Sequence, residues 1–161
     1  MVVWSVVVLA MAVMAEAAVP DPPTSGITTV GSLKLATAAD CAGLVAFSAV
    51  DGTVRDTKMV LSRTLVDKGV GYVAETGTFT THCPGTYQFG FAGYGNSDLR
   101  LTLKMKANKS ANWNPVVSAG PGGGSNIVFL DVEAGDQLAV FVEAGKITSG
   151  TTFTGHRIAK K

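Results

Sequence analysis

Alternation of apolar and polar residues is the dominant pattern along this chain. From Leu99 to Ala107 the two kinds of residue alternate without interruption, which is typical of a strand with one buried face. Leu101, Leu103 and Met105 are therefore predicted to point inward. The outward positions are Arg100, Thr102, Lys104 and Lys106.

Several other segments have the same period of two. Tyr87, Phe89 and Phe91 place three aromatic rings on one face of a predicted strand. Around 138–142 both faces are apolar, which indicates a strand covered on both sides. Further strands are predicted over 44–50, 125–132 and 152–158, with turn residues at 51–52, 75–77, 95–96, 121–124 and 134–136. No segment has a clear helical period, so the pattern predicts an all-β sandwich, jelly roll or barrel.

The N-terminal segment follows a different pattern. Residues 1–15 are almost wholly apolar, too short to span a bilayer comfortably, and are followed by a small-x-small site at Ala15–Ala17. We interpret residues 1–17 as a secretory signal peptide. No Lys or Arg precedes the apolar run, and a signal anchor or a buried N-terminal element is the alternative. Residues 18–43 are small and polar, with three early prolines, and are predicted to be a flexible arm preceding a domain over 44–159.

Composition narrows the function classes. The chain has 161 residues, 47% of them hydrophobic, and a net charge of +1, which favours one globular domain over a disordered chain or a protein that binds duplex nucleic acid. Its 19 glycines form no Gly-X-Y repeat, which excludes a collagen stalk. His82 and Cys83 are adjacent, so within a strand they would point to opposite faces and could not form a catalytic pair. We expect a protein that is not an enzyme.

One spacing resembles a known family. Asp67, Tyr72, Phe79, Gly85, Tyr87, Phe89 and Phe91 follow the signature of the C1q domain, the globular head of complement C1q, adiponectin and the cerebellins. Leu61 stands where the signature opens with an aromatic residue. The segments 45–49, 77–80, 130–138 and 152–155 also resemble strands and turns of that family, so the resemblance covers about residues 44–159. Gly77 and Gly85 are expected to supply the positive φ that a sharp turn into a strand needs.

The resemblance implies a fold and an assembly. It implies a ten-stranded antiparallel jelly roll, related to tumour necrosis factor, that packs as a homotrimer. Because the strand over 87–91 is richer in aromatic residues than one small core requires, we expect some of its rings to lie in the subunit interface.

The resemblance implies two candidate functions. One is a secreted, lectin-like recognition protein of innate immunity that binds microbial or host glycans and other anionic surfaces. The other is a trimeric extracellular ligand for a protein receptor, or a matrix component, of the cerebellin and adiponectin type. The absence of a collagen or coiled-coil segment favours soluble recognition.

Two kinds of covalent modification are expected in an oxidising secretory route. Cys41 and Cys83 are expected to pair, either within one chain or between chains, with two free thiols as the third possibility. Asn108 lies in the one Asn-x-Ser/Thr sequon, in a polar loop after a strand, and is a candidate for glycosylation.

Calcium is the one metal considered, and no cofactor is expected. Asp131, Glu133 and Asp136 could cluster their oxygens at a hairpin end. A solvated turn explains the same residues, and we assign no metal site.

The candidate ligand-binding residues form a cationic stripe on the strand over 99–107. Arg100, Lys104 and Lys106 lie along about 20 Å of strand, at about 3.3 Å per residue, and Lys109 follows in the loop. Sulfated glycan, lipopolysaccharide or anionic phospholipid would fit such a stripe, and a trimer would present three of them. An outer strand face kept soluble by lysine is the alternative interpretation.

Overall fold

The domain is built from antiparallel strands. A computed structural model describes residues 28–30, 33–35, 41–68 and 71–161. The predicted signal peptide and residues 18–27 lie outside the described residues. In the predicted arm, β1 (Thr28–Val30) and β2 (Leu33–Leu35) pair as a short antiparallel hairpin that the sequence pattern did not predict. Within the described ranges, no helix is long and apolar enough to cross a membrane.

Ten further strands form the main sheet. They are β3 (Ala46–Arg55), β4 (Lys58–Lys68), β5 (Tyr72–Val73), β6 (Thr78–Thr80), β7 (Gly85–Gly95), β8 (Arg100–Lys106), β9 (Asn114–Ala119), β10 (Gly123–Val132), β11 (Gln137–Ala144) and β12 (Ile147–Lys160). We call the run β10-β7-β12-β3-β4 the first sheet, and the run β5-β6-β11-β8-β9 the second sheet. A single pairing, Phe141 with Lys58, joins the two. The expected ten-stranded antiparallel jelly-roll sandwich is confirmed.

Aromatic side chains from both sheets fill the space between them. Phe47 of β3 stacks on Tyr72 and on Phe79, with ring centres 5.0 and 4.9 Å apart, and meets Phe153 edge-on at 4.9 Å. Phe79 also contacts Phe89 at 5.5 Å. Such pairs add about 0.5–1.5 kcal/mol each beyond the area they bury. The aromatic cluster therefore joins the two sheets across the core.

The expectation that aromatic rings of β7 lie in a subunit interface is wrong. Tyr87, Phe89 and Phe91 are at most 2% exposed in the single chain. Their face of β7 is directed at the second sheet, where Phe79 lies between Tyr87 and Phe89. These rings are therefore needed to fill the core of one subunit.

The remaining signature positions divide between core and turn. Leu61 is fully buried, and the Tyr72 hydroxyl donates a hydrogen bond to its carbonyl at 3.0 Å. Burial raises the pKa of Tyr72 to about 12. Gly85, the glycine of the signature, has a φ of 155°, and a Cβ there would lie 2.2 Å from the Ala159 carbonyl oxygen. Gly77, in the turn before β6, has a φ of 62°, and a Cβ there would lie 2.2 Å from the Met59 carbonyl oxygen, so only glycine fits at either position. Asp67 is exposed at the end of β4.

The predicted turn at Asp51-Gly52 is wrong. β3 continues to Arg55, and the chain reverses at Asp56-Thr57, where both residues have positive φ. Asp51 has a φ of 59°, so it kinks the strand without ending it. The sequence pattern also missed β4, β5, β6 and β9, and among these only the segment of β6 was indicated by the family resemblance.

The expected disulfide links Cys41 to Cys83 within the chain. Cys83 is fully buried, and the Tyr87 hydroxyl donates a hydrogen bond to its carbonyl at 2.6 Å. Arg157 of β12 donates to the carbonyls of Cys41 and Gly43. The bridge and Arg157 together fix the start of the domain beside the end of β12.

Candidate ligand-binding face

The outward face of the second sheet is built on β8 and β11. Leu101 and Leu103 are fully buried, as predicted from the alternation, which directs Thr102 and Lys104 away from the core. Opposite Thr102 on β11 is Phe141, which is only 8% exposed. β11 is thus covered on both faces, as its sequence pattern indicated.

Lysine and aromatic side chains cover this outward face together. We define the lysine cluster as Lys58, Lys104 and Lys106 with the rings of Trp113 and Phe141. The Nζ atoms of Lys58 and Lys106 lie 5.2 and 5.4 Å from the centre of Trp113. Those of Lys58 and Lys104 lie 5.8 and 4.7 Å from the centre of Phe141. All four distances are within the range of cation–π attraction.

Positive charge exceeds negative charge within this cluster. Lys104 pairs with Glu143 at 2.8 Å, with side chains 22% and 41% exposed. Lys58 donates instead to the hydroxyl of Thr78 at 3.2 Å. Partial burial lowers the pKa of Lys58, and the charge of Lys106 lowers it further, whereas Asp56 acts in the opposite direction. A bound anion would therefore stabilise the charged form of Lys58.

The structure separates the predicted cationic stripe into different environments. Arg100 is exposed at the start of β8, and Lys109 is exposed in the turn after it. Lys104 and Lys106 lie partly buried against the aromatic rings. Thr102, which was predicted to face solvent, is 5% exposed and shares a hydrogen bond of 2.8 Å with Ser118 of β9. Only Lys104 and Lys106 of the stripe belong to the lysine cluster.

Sequence reasoning missed the other half of the cluster. Lys58 comes from β4 and Trp113 from the loop before β9. Neither residue has a local pattern that assigns it to this face, because only the pairing of β4 with β11 brings Lys58 across. The one signal in the sequence was that β11 has apolar residues on both faces, which indicated that its outward face is also covered by other side chains.

The other predicted site residues lie elsewhere. Asn108 is exposed in the turn between β8 and β9, beside Gly135. The carboxylate of Asp136 accepts hydrogen bonds from the backbone amides of Asn108 and Glu133 at 3.0 and 2.9 Å. Asp131 accepts one from Thr86, and Glu133 pairs with Lys161. Over the described ranges, no three His, Cys, Asp or Glu side chains are grouped so that they could hold a metal ion.

The first sheet presents a different outward face. Ile127 and Phe129 of β10 are each 62% exposed at one edge. Across the sheet, the row that begins with Ile127 continues through Gly90, Thr154 and Ser48 to Val66. A groove of about 320 Å³ lies at that far side, lined by Leu44, which precedes β3, and by residues of β3, β4 and β12 that include Val66 and His156.

Comparison with solved structures identifies the architecture. The globular domain of zebrafish complement 1qA protein is 23% identical, with a TM-score of 0.58 over 73% of this chain and 99% of that chain. Eiger TNF from S. frugiperda is 15% identical (TM-score 0.58; 73% and 94% covered), and murine APRIL at pH 8.0 is 10% identical (TM-score 0.58; 72% and 100%). No family model and no curated protein matches the chain.

These similarities define the class of protein by its fold. The described domain belongs to the class of antiparallel jelly-roll domains. Within that class it has the C1q/tumour necrosis factor-like fold.

Proposed function

We propose that this protein is a secreted, non-enzymatic recognition protein that assembles as a homotrimer and binds anionic glycans or other anionic surfaces through its second sheet. The observation that carries the proposal is the lysine cluster, where three ammonium groups share one face and Glu143 pairs with only one of them. The disulfide supports an oxidising, extracellular destination. Cys83 is held in that bridge, so it offers no thiolate to His82.

The first sheet supports the trimer. Ile127 and Phe129 are large exposed apolar side chains at one edge of a face that has small residues at its centre and an apolar groove near the other edge. An edge that fits a groove on the next copy makes a head-to-tail contact, which closes into a ring when the rotation allows. A threefold ring would cover both features in every subunit.

Assembly can be tested without disturbing the core. Light scattering on the purified protein should give three times the subunit mass. Phe129→Asp should give a monomer with an unchanged circular dichroism spectrum, because this ring lies outside the core. Val73→Asp, at an exposed apolar residue on β5 of the second sheet, is a control for added charge. A wild-type monomer at micromolar concentration would contradict the trimer.

Binding can be tested with an array of neutral, carboxylated, sulfated and phosphorylated glycans at increasing salt. Retention that falls steeply with salt is expected, because exposed charges are screened within about 8 Å at physiological ionic strength. Binding only to a saturable cell-surface protein, with no glycan retained, would favour the alternative of a receptor ligand or matrix component.

A further inference from the structure

A groove of both charge signs adjoins the lysine cluster. The tight turn at Asp56-Thr57 brings Arg55, Asp56 and Lys58 to one end of the sandwich, where Glu75 and Thr76 face them across a groove of about 200 Å³. Arg55 donates to the Glu75 carbonyl at 3.2 Å, which holds the two walls together. The groove thus offers two cations, two carboxylates and a hydroxyl to a ligand.

Lys58 belongs to both the groove and the lysine cluster. Its ammonium group lies over Trp113, on which Lys106 also lies, and Lys58 is one of the residues that line the groove. An anionic group placed against Trp113 could therefore contact Lys58 and Lys106 together. The rest of the same molecule would extend into the groove.

The carboxylates of the groove restrict the ligand. A uniformly anionic partner, such as an acidic peptide or a heavily sulfated chain, would meet repulsion from Asp56 and Glu75. Hydroxyl groups would instead donate hydrogen bonds to those carboxylates, and the Thr76 hydroxyl, which donates to the Val73 carbonyl, can accept one. The arrangement suits a molecule that has one anionic group and several free hydroxyls.

We propose that the groove and the Lys58–Trp113–Lys106 group bind a saccharide through one sulfate or phosphate group, with its free hydroxyls on Asp56 and Glu75. This inference rests on the proposed function and specifies its ligand. In this arrangement Lys104 contributes little to binding of the anionic group, because its charge is already paired with Glu143.

The test uses immobilised N-acetylglucosamine 6-sulfate and mannose 6-phosphate, with the two unsubstituted sugars and heparin for comparison. The wild-type trimer should bind each substituted sugar more tightly than the corresponding unsubstituted sugar. Lys58→Gln and Lys106→Gln should each weaken binding about tenfold, as expected for the loss of a charged hydrogen bond. Lys109→Gln, an exposed lysine outside the cluster, is the matched control and should bind like wild type.

A second pair of substitutions tests the groove. Asp56→Asn with Glu75→Gln should weaken binding to the singly substituted sugars and strengthen binding to heparin. Unchanged thermal unfolding shows that each variant is folded. Two results would overturn this inference without affecting the proposal of anionic recognition. One is that Lys58→Gln and Lys106→Gln bind the substituted sugars as tightly as wild type does. The other is that Asp56→Asn with Glu75→Gln leaves binding to heparin unchanged. Wild-type protein that binds none of the anionic probes would overturn the proposed function as well.

Discussion

The disulfide offers the most direct quantitative test of how this domain is stabilised. Cys41 and Cys83 are 42 residues apart, so the bridge closes a large loop that spans β3 to β6. On the chain-entropy model, a loop of this size contributes about 4 kcal/mol by restricting the unfolded chain. The double variant Cys41→Ala/Cys83→Ala should lose most of that, which lowers the melting temperature by about 15 °C for a domain of this size.

The assay compares thermal unfolding of wild type, the double variant and a control at one protein concentration, because assembly makes the melting temperature concentration-dependent. Arg157→Gln is the control: it removes hydrogen bonds to the carbonyls of Cys41 and Gly43 but keeps the bridge. It should cost about 1 kcal/mol. Non-reducing peptide mapping should show a Cys41–Cys83 peptide in a monomer-sized band.

Two results would refute this reasoning. A double variant that melts within about 3 °C of wild type would show that the loop is not the stabilising element, since that shift corresponds to under about 1 kcal/mol. Covalent dimers that a reductant separates would show that Cys41 pairs between chains.

Three further predictions concern single residues. The Thr81 hydroxyl is fully buried and has no hydrogen-bond partner among the described residues. Thr81→Val should therefore leave the free energy of unfolding in denaturant unchanged or raise it by up to about 1 kcal/mol. A lower free energy of unfolding would show that the hydroxyl does have a partner. Burial lowers the pKa of His82, so neutral His82 stabilises the fold above the unfolded pKa near 6.5, and this stabilisation is lost as pH falls below that value. His82→Asn should therefore make the free energy of unfolding depend less on pH between pH 7.5 and 5. The same pH dependence in the variant and in wild type would exclude that role. Asn108 is exposed, so secreted material should lose mass on glycosidase treatment, and a constant mass would disprove the modification.

Local periodicity was sufficient to predict much of the fold. The alternation over β8 assigned Leu101 and Leu103 to the core, and both are fully buried. β4 lacks such alternation: residues 59–61 in its first half are all buried, and its second half is exposed. Its sequence therefore matches neither the pattern of a half-buried strand nor that of a fully buried one. Asp51-Gly52 has the composition of a turn, but Gly52 pairs with Leu61 of β4 and donates a hydrogen bond to the Thr151 hydroxyl, which keeps it within β3.

The candidate site was less predictable for a physical reason. Lys104 and Lys106 lie on one strand and share a face by period alone. Lys58 joins them only through the pairing of β4 with β11, which are distant in the sequence, and Trp113 joins them through the loop that connects β8 to β9. A local pattern can therefore identify one side of such a site and cannot show which residues complete it.

The two outward faces of the sandwich imply that assembly and binding are coupled. If the apolar face of the first sheet is covered by neighbouring subunits, the second sheet of each subunit faces solvent, and one rigid body presents three lysine clusters. Weak sites joined in this way can exceed the single-site affinity by about 10² to 10⁴ on a repeating surface, provided that their spacing allows simultaneous contact. We therefore expect monomeric Phe129→Asp to bind a soluble, single-site saccharide as wild type does and to be released from a densely substituted surface far more easily. Equal retention of monomer and trimer would show that each domain acts independently.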